Sequence, residues 1–349
     1  MEFTQKKGVL LINLGTPKSP SPKDVFHYLN EFLTDARVID IPYFKRQLLV
    51  RGVIVPFRFK ASSLSYQAIW QKEGSPLSIY ARQTKELLQT ELGDDYHVEY
   101  AMRYQEPSIH EALKKLEKMD LKELTIIPLF PQYASATTGS ICEKVFSCLS
   151  SWSTFPKIKI INSFFNHPLL IDAFCEIAKE SCYGDYEHIL MSFHGLPKKH
   201  LIKADKHSSC QKKQDCCKTL CEKNLSCYGA QCYATADLIA KQLNLDPSKY
   251  TVCFQSRLGK TPWIMPYTSN VIEDLAKKGV KNIFVMCPAF ICDCLETLHE
   301  IAFEYEEEFK NLGGKSLTLM PGLNTHPLWI QTLKELVTQK ASEQELALT

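Results

Sequence analysis

The chain has 349 residues, 45% of them hydrophobic and 23% charged, which leaves room for two folded domains and excludes a disordered or fibrous protein. Forty-one Lys and Arg against 39 Asp and Glu give a formal charge of +2, so no bulk field favours nucleic acid. A membrane-spanning helix needs roughly 20 apolar residues; the runs at 9–14 and 283–287 are far shorter, and 48–57 is broken by Arg51, Gly52 and Pro56. The first residues carry Lys6 and Lys7 but no small-residue cleavage site follows, and the sequence reads as a cytoplasmic protein that does not cross a membrane.

In chain order, short runs rich in β-branched residues end in polar or Pro/Gly loops and give way to helical spacing. They lie at 8–14 before Gly15-Thr16-Pro17, at 96–102 before Arg103-Tyr104, and at 124–130 before Pro131-Gln132-Tyr133. Others lie at 158–164 before Asn166-His167-Pro168 and at 188–193 before His194-Gly195-Leu196-Pro197. The last two are 251–254 before Gln255-Ser256-Arg257, and 283–287 before Pro288-Ala289-Phe290. Between them, 109–119, 235–243 and 271–278 place apolar residues three and four apart, as helices do. This alternation predicts an α/β fold of parallel sheets covered on both faces by crossover helices. Seven strands over this length suit two four-stranded sheets better than one large one. The Ser/Thr-rich stretch 150–156 is the expected junction, dividing a first domain at 1–155 from a second at 156–325. The amphipathic segment 327–339, with no strand after it, predicts a closing helix within 326–349.

Ligands of such folds bind beyond the carboxyl ends of the strands. His194 is the most prominent polar residue there, although a histidine satisfied in a turn is its ordinary reading. After the run at 283–287 come Asp293, Glu296 and Glu300, spaced to share one helical face near its start, where carboxylates also simply complement the helix dipole. No G-x-G-x-x-G follows a strand, so no nucleotide cofactor is expected. Gly259-Lys260-Thr261 imitates the end of a P-loop, but Phe254 stands where its first glycine belongs. No H-E-x-x-H helix or G-x-S-x-G elbow occurs. A histidine and a row of carboxylates without a nucleophile suit proton movement or metal holding.

Six of the 14 cysteines, Cys210, Cys216, Cys217, Cys221, Cys227 and Cys232, fall within 23 residues among polar neighbours such as Lys206, Lys212 and Asp215. The other eight read as small core hydrophobes or inert thiols.

Several segments occur together and in order. They are Leu11-Ile12-Asn13-Leu14-Gly15-Thr16-Pro17, Arg103-Tyr104, Pro131-Gln132-Tyr133-Ala134-Ser135-Ala136-Thr137-Thr138-Gly139-Ser140 and Ser192-Phe193-His194-Gly195-Leu196-Pro197. Phe254-Gln255-Ser256-Arg257 with Pro262-Trp263, and Asp293-Cys294-Leu295-Glu296-Thr297-Leu298, complete the set. In these the chain resembles the ferrochelatases over nearly its whole length. The resemblance implies two similar Rossmann-like halves and the insertion of ferrous iron into protoporphyrin IX, with release of two protons, as the terminal step of haem synthesis. It places the metal and proton roles on His194 and Glu296, with Asp293 and Glu300 continuing an acidic line. It makes Leu14, Tyr133, Trp263 and Met265 wall residues for the porphyrin, and Arg103, Tyr104 and Ser135 propionate or wall contacts. A packed core aromatic is the plainer reading of Trp263. Residues 48–59 look like the family's hydrophobic lip, resting peripherally on membrane, or else a segment buried at the cleft mouth.

The cysteine segment, 206–232, resembles an insertion that in some bacterial members holds a [2Fe–2S] cluster. The animal arrangement is absent, because Ser135 stands at one ligand position and no cysteine follows His326. The ligands would come from Cys210, Cys216, Cys217, Cys227 and Cys232. Side chains of the neighbours Cys216 and Cys217 are expected to diverge, and Cys221 is the spare. A zinc site and free or redox-paired thiols are the competing readings. For the whole chain, the alternatives are a coproporphyrin or cobalt chelatase, or a non-catalytic haem or iron–sulfur sensor on the same scaffold.

Overall fold

A computed structural model describes residues 5–339 apart from 211, 213, 214 and 260. Three residues of the cysteine segment and the part of the expected closing helix beyond 339 therefore lie outside the described residues. Eight strands are present among the described residues: β1 (Lys7–Gly15), β2 (Tyr96–Tyr104), β3 (Glu123–Pro128), β4 (Lys157–Ile160), β5 (His188–His194), β6 (Tyr250–Gln255), β7 (Asn282–Met286) and β8 (Ser316–Leu319). They form two parallel four-stranded sheets, ordered β2-β1-β3-β4 and β6-β5-β7-β8, each covered by helices. The fold is α/β, with two Rossmann-like halves.

The helices of the first half are α1 (Pro22–Leu33), α2 (Tyr43–Leu49), α3 (Val55–Ile69), α4 (Pro76–Leu92), α5 (Ile109–Glu117) and α6 (Ser140–Leu149). Those that follow are α7 (Pro168–Glu180), α8 (Lys198–Ala204), α9 (Tyr228–Gln242), α10 (Thr268–Lys277), α11 (Glu306–Asn311) and α12 (Pro327–Thr338). Serine hydroxyls cap three of the starts: Ser21, Ser75 and Ser108 each accept the amide three residues on, satisfying one of the donors a helix leaves unpaired. Three segments are π-helical, Val50–Ile54, Ser135–Gly139 and Glu296–Tyr305.

Three details depart from the sequence reading. β8 was not expected, because only one of its four residues is fully buried and so short a run carries no periodic signal. β4 pairs with β3, so the first sheet is not complete at residue 155. β2 and β5 run on through Tyr104 and His194, so Arg103, Tyr104 and His194 are strand residues, not loop residues.

The central strand of the first sheet buries Val9, Leu10, Leu11 and Ile12 completely, because helices cover both faces. One core then runs through both halves, joining Val9, Leu11 and Ile127 to Met191, Phe193 and Phe284. Trp329 and Leu333 of α12, which packs against α4 and α7, close that core.

The halves repeat each other at their strand tips. Asn13 pairs with Met102, and Phe193 with Phe254. The amides of Met102 and Phe254 each donate to a proline carbonyl, Pro107 at 2.7 Å and Pro266 at 2.9 Å. By this register Asn13-Leu14-Gly15-Thr16-Pro17 corresponds to Phe193-His194-Gly195-Leu196-Pro197, and Leu14 stands where the second half has His194.

Candidate active site

His194 ends the central strand of the second sheet and is half-buried. Its Nδ1 lies 2.6 Å from the Gly195 carbonyl. A carbonyl only accepts, so Nδ1 carries a proton, and in the neutral tautomer the lone pair is then on Nε2. The turn is held closely. The Gly195 amide donates to the Gln255 carbonyl at 2.8 Å, and a Cβ at Gly195 would lie 2.7 Å from that oxygen and 3.2 Å from the Trp263 ring. Only glycine fits there. Trp263 is buried and donates Nε1–H to the Leu258 carbonyl, so it braces the histidine turn as a packed aromatic.

Glu296 opens a π-helical segment, and Glu300 follows four residues later. The expected α-helical face is thus a π-helical one, whose wider i→i+5 turn still keeps these carboxylates on a common side. The Glu300 carboxylate accepts from the Ser256 amide (2.8 Å), the Ser256 hydroxyl (2.5 Å), Gln255 Nε2 (3.3 Å) and the Tyr305 hydroxyl (3.2 Å). Ser256 makes two of these from a left-handed backbone, at φ 63°. Burial nevertheless pushes the Glu300 carboxyl above the usual range; the Ser256 bond and the facing His194 pull it down, and the Glu296 charge adds to the rise. The charges of His194 and Glu296, 102 residues apart in sequence, thus both act on the Glu300 carboxyl.

Asp293 does not continue the acidic line into this space. Its two oxygens accept from the Gly322 amide (3.0 Å) and Asn324 Nδ2 (2.8 Å), and its amide donates to Asn324 Oδ1 (2.9 Å). It is spent on anchoring the loop after β8, which sequence spacing could not reveal because that strand carried no signal.

Arg103 and Tyr104 are likewise committed elsewhere. Arg103 donates to Asp35 Oδ2 (2.6 Å) and to the Ser140 hydroxyl (2.7 Å), while the fully buried Tyr104 hydroxyl donates to the same Asp35 oxygen at 2.9 Å. Burial alone would raise the Asp35 carboxyl; the bonds from Ser140 and the Arg37 amide, with the Arg103 charge, outweigh it and hold the carboxyl low. These two residues build an anchor rather than a propionate contact. Ser135 starts the π-helical segment after β3 and accepts from Arg37 Nη1 at 3.0 Å. The side chains of Arg37, Ser135 and Tyr133 converge on Gly139, at 3.2, 3.5 and 3.5 Å from where its Cβ would be. Arg37, missed in the sequence, is the cation nearest Tyr133 and Ser135 in that group. Leu14 is half-buried against a cluster that includes Leu295, and Met265 is 54% exposed, a rim residue rather than a wall.

Tyr28 and Tyr66 were also missed. Both are buried, their rings meet edge to face at 6.2 Å, and the Glu296 charge reaches both hydroxyls. Tyr28 lies in the amphipathic α1 and Tyr66 in α3, which has almost no amphipathic period, and in neither does the sequence tell a core aromatic from a site aromatic.

Residues 48–59 divide between the two expectations. Val50 and Val55 are fully buried, whereas Leu48, Val53 and Phe57 are 75%, 49% and 82% exposed. Tyr43, Phe44 and Leu64 extend the exposed apolar surface, with Lys45, Arg51, Arg58 and Lys60 exposed around it. No helix among the described residues is long and apolar enough to cross a membrane.

In the cysteine segment, the Cys216 and Cys217 sulfurs lie 3.6 Å apart, and Cys217 and Cys227 3.9 Å apart. The neighbours therefore converge rather than diverge, because the chain turns tightly from Asp215 to Cys217 instead of extending. A hydrogen bond from Cys217 and the amides at the start of α9 draw the Cys227 thiol down to about 6 against its burial. Cys232 is fully buried beside Tyr228, Cys210 packs at the core edge, and Cys221 is exposed. Among the described residues, no group of three or more His, Cys, Asp or Glu side chains is gathered closely enough to hold a metal ion.

Comparison with known proteins adds a family. Residues 6–341 match the model described as ferrochelatase. A ferrochelatase of Legionella pneumophila (strain Lens) is 45% identical over 335 residues, 96% of this chain and 99% of that one. One of Coxiella burnetii (strain Dugway 5J108-111) is 43% identical over 332 residues, 95% and 93% of the two chains. Among solved structures, SirB from Bacillus subtilis with Fe3+ has a TM-score of 0.55 at 11% identity, covering 96% of each chain. At that identity the likeness speaks for the fold alone.

Proposed function

The chain belongs to the ferrochelatase family, and from that premise we propose how its geometry carries the family's chemistry. The activity is the insertion of ferrous iron into protoporphyrin IX, which releases two pyrrole protons and yields protohaem in haem biosynthesis. His194 takes those protons at Nε2 one at a time, giving up the first to water before it accepts the second. The observation that carries this assignment is the bond from Nδ1 to the Gly195 carbonyl, which in the neutral ring selects the tautomer with its lone pair on Nε2. Glu296 presents a carboxylate to the iron on the same side. Glu300, on which both charges act, holds a proton to higher pH than an exposed glutamate, and its carboxylate is the acceptor for the Ser256 and Tyr305 hydroxyls. Leu14 and Tyr133 line the macrocycle, with Met265 at the rim; Arg37, beside Ser135 and already paired with Glu143 through Nε, is the cation on that side.

The protein works in the cytoplasm, with the exposed patch of Phe44, Leu48 and Phe57 and its basic rim resting on anionic lipid. The cysteine segment holds a [2Fe–2S] cluster, with zinc as the weaker alternative. Thiolates are the donors such a cluster takes; the Cys217 sulfur lies beside those of Cys216 and Cys227, with Cys210 and Cys232 on the neighbouring core, although no three of the described side chains close on one point. When bound, the cluster would supply an electron-transfer or sensing centre outside the metallation step.

The test is anaerobic metallation of protoporphyrin by ferrous iron, followed through the porphyrin absorption bands. His194→Ala should lose nearly all activity while still binding porphyrin, and a variant as fast as the parent would refute the assignment.

A further inference from the structure

Helix α9 touches both the cysteine group and the active site. Its N-cap is Cys227, whose sulfur lies 3.9 Å from that of Cys217. Cys217 also rests on the first turn, since a Cβ at Gly229 would come within 2.9 Å of its sulfur. Farther along, residues 228, 231 and 235 share one helical face. The Tyr228 hydroxyl donates to the His194 carbonyl at 2.7 Å. Gln231 Oε1 accepts the Tyr133 amide at 2.6 Å, and Thr235 Oγ1 accepts from Gln132 at 3.1 Å. All three side chains are buried, at 7%, 2% and 0% exposure, so the face is packed and moves as a body.

We propose that α9 is a strut carrying displacements of the cysteine group to the tips of β5 and β3, with Tyr228 as the positioning residue that sets His194. The inference rests on the reading of His194 as proton acceptor. The bond from Tyr228 fixes the backbone of the residue whose ring must meet the pyrrole nitrogens, and a misplacement there costs rate more than binding. Coupling through α9 is independent of what the cysteines hold, because it depends on where Cys217 and Cys227 press on the first turn.

A double-mutant cycle on the full chain, Tyr228→Phe against Cys217→Ser, tests it. Two readouts are taken: metallation kinetics, and amide hydrogen exchange over residues 188–197. Each single variant should lower kcat about tenfold with KM for porphyrin changed by less than about twofold, and should speed exchange in that segment. The double variant should be no slower than the worse single one. Losses that multiply, or rates that fall while exchange over 188–197 is unchanged, would overturn the strut. If Cys217→Ser does not fold, Cys216→Ser takes its place in the cycle, with the same outcomes. Should His194→Ala retain full activity, the role given to that histidine fails, while the exchange arm still reports on the strut.

Discussion

The two halves share a topology and differ in what they carry at its end. Where the central strand of the second half closes on His194, the first half has Leu14. Where β6 ends on Gln255 and is followed by Ser256, both bonded to Glu300, β2 ends on Arg103 and Tyr104, both tied to Asp35. One tip keeps unspent lone pairs and a carboxyl raised by burial; the other neutralises every charge it buries. A repeated backbone thus supplies two equivalent positions whose side chains differ: one tip carries a histidine and a raised carboxyl, the other an ion pair.

The largest expected consequence of this contrast is kinetic. His194→Ala should reduce kcat by roughly 10²–10⁴-fold, the usual reach of a positioned proton acceptor, with a Tm close to the parent's. A Tm loss as large as the activity loss would erase the distinction between the halves. Arg103→Ala should show the reverse pattern. Removing one partner of a buried pair costs about 3 kcal/mol, read in urea unfolding, because Asp35 keeps its charge without its guanidinium. Since the Asp35 carboxyl is held low, its contribution is present above the unfolded-state pKa and disappears as pH falls through the folded one. The advantage of the parent over Arg103→Ala should therefore shrink in acid.

Glu300→Gln sharpens the comparison further, since its sign is opposite to that of Asp35. A raised carboxyl pKa means the folded protein binds a proton over a range in which the unfolded chain has released it, so stability falls as pH rises through that range. The neutral glutamine removes this loss. The variant should melt above the parent at pH 8 and with it in the acid range, while metallating more slowly. A parent that gained stability with pH relative to the variant would contradict the assignment. The smallest effect is expected at the surface of the first half. Phe57→Ser should weaken binding to anionic vesicles by about tenfold and leave Tm unchanged, because the ring is 82% exposed. Unaltered vesicle binding would remove the membrane role from this face.

How much of this was legible beforehand varies with the range of the signal. Strand-and-helix alternation is local, and it located seven of the eight described strands and both sheets; β8 escaped because four residues, one of them buried, have no period to read. His194 and Glu296 were marked as candidates by their place beyond strand ends, where a plain structural reading was as good, and only the resemblance to the ferrochelatases gave them roles. Asp293, Arg103 and Tyr104 looked equally chemical, yet each is consumed by partners 29 to 69 residues away. Tyr28 and Tyr66 escaped because helical periodicity marks burial without saying which buried ring faces a carboxylate.

By itself, then, the sequence determined the α/β class, the pairing of strands into two sheets, and the candidate histidine and glutamate, since hydrophobic period and turn chemistry act over a few residues. Tertiary structure alone decided which polar groups remain unspent, which side of the lip is wet, that Cys216 and Cys217 converge, and that α9 reaches both the sulfurs and His194. Those outcomes depend on distances between residues remote in the chain and on the burial that sets each charge, and neither is encoded in any local window.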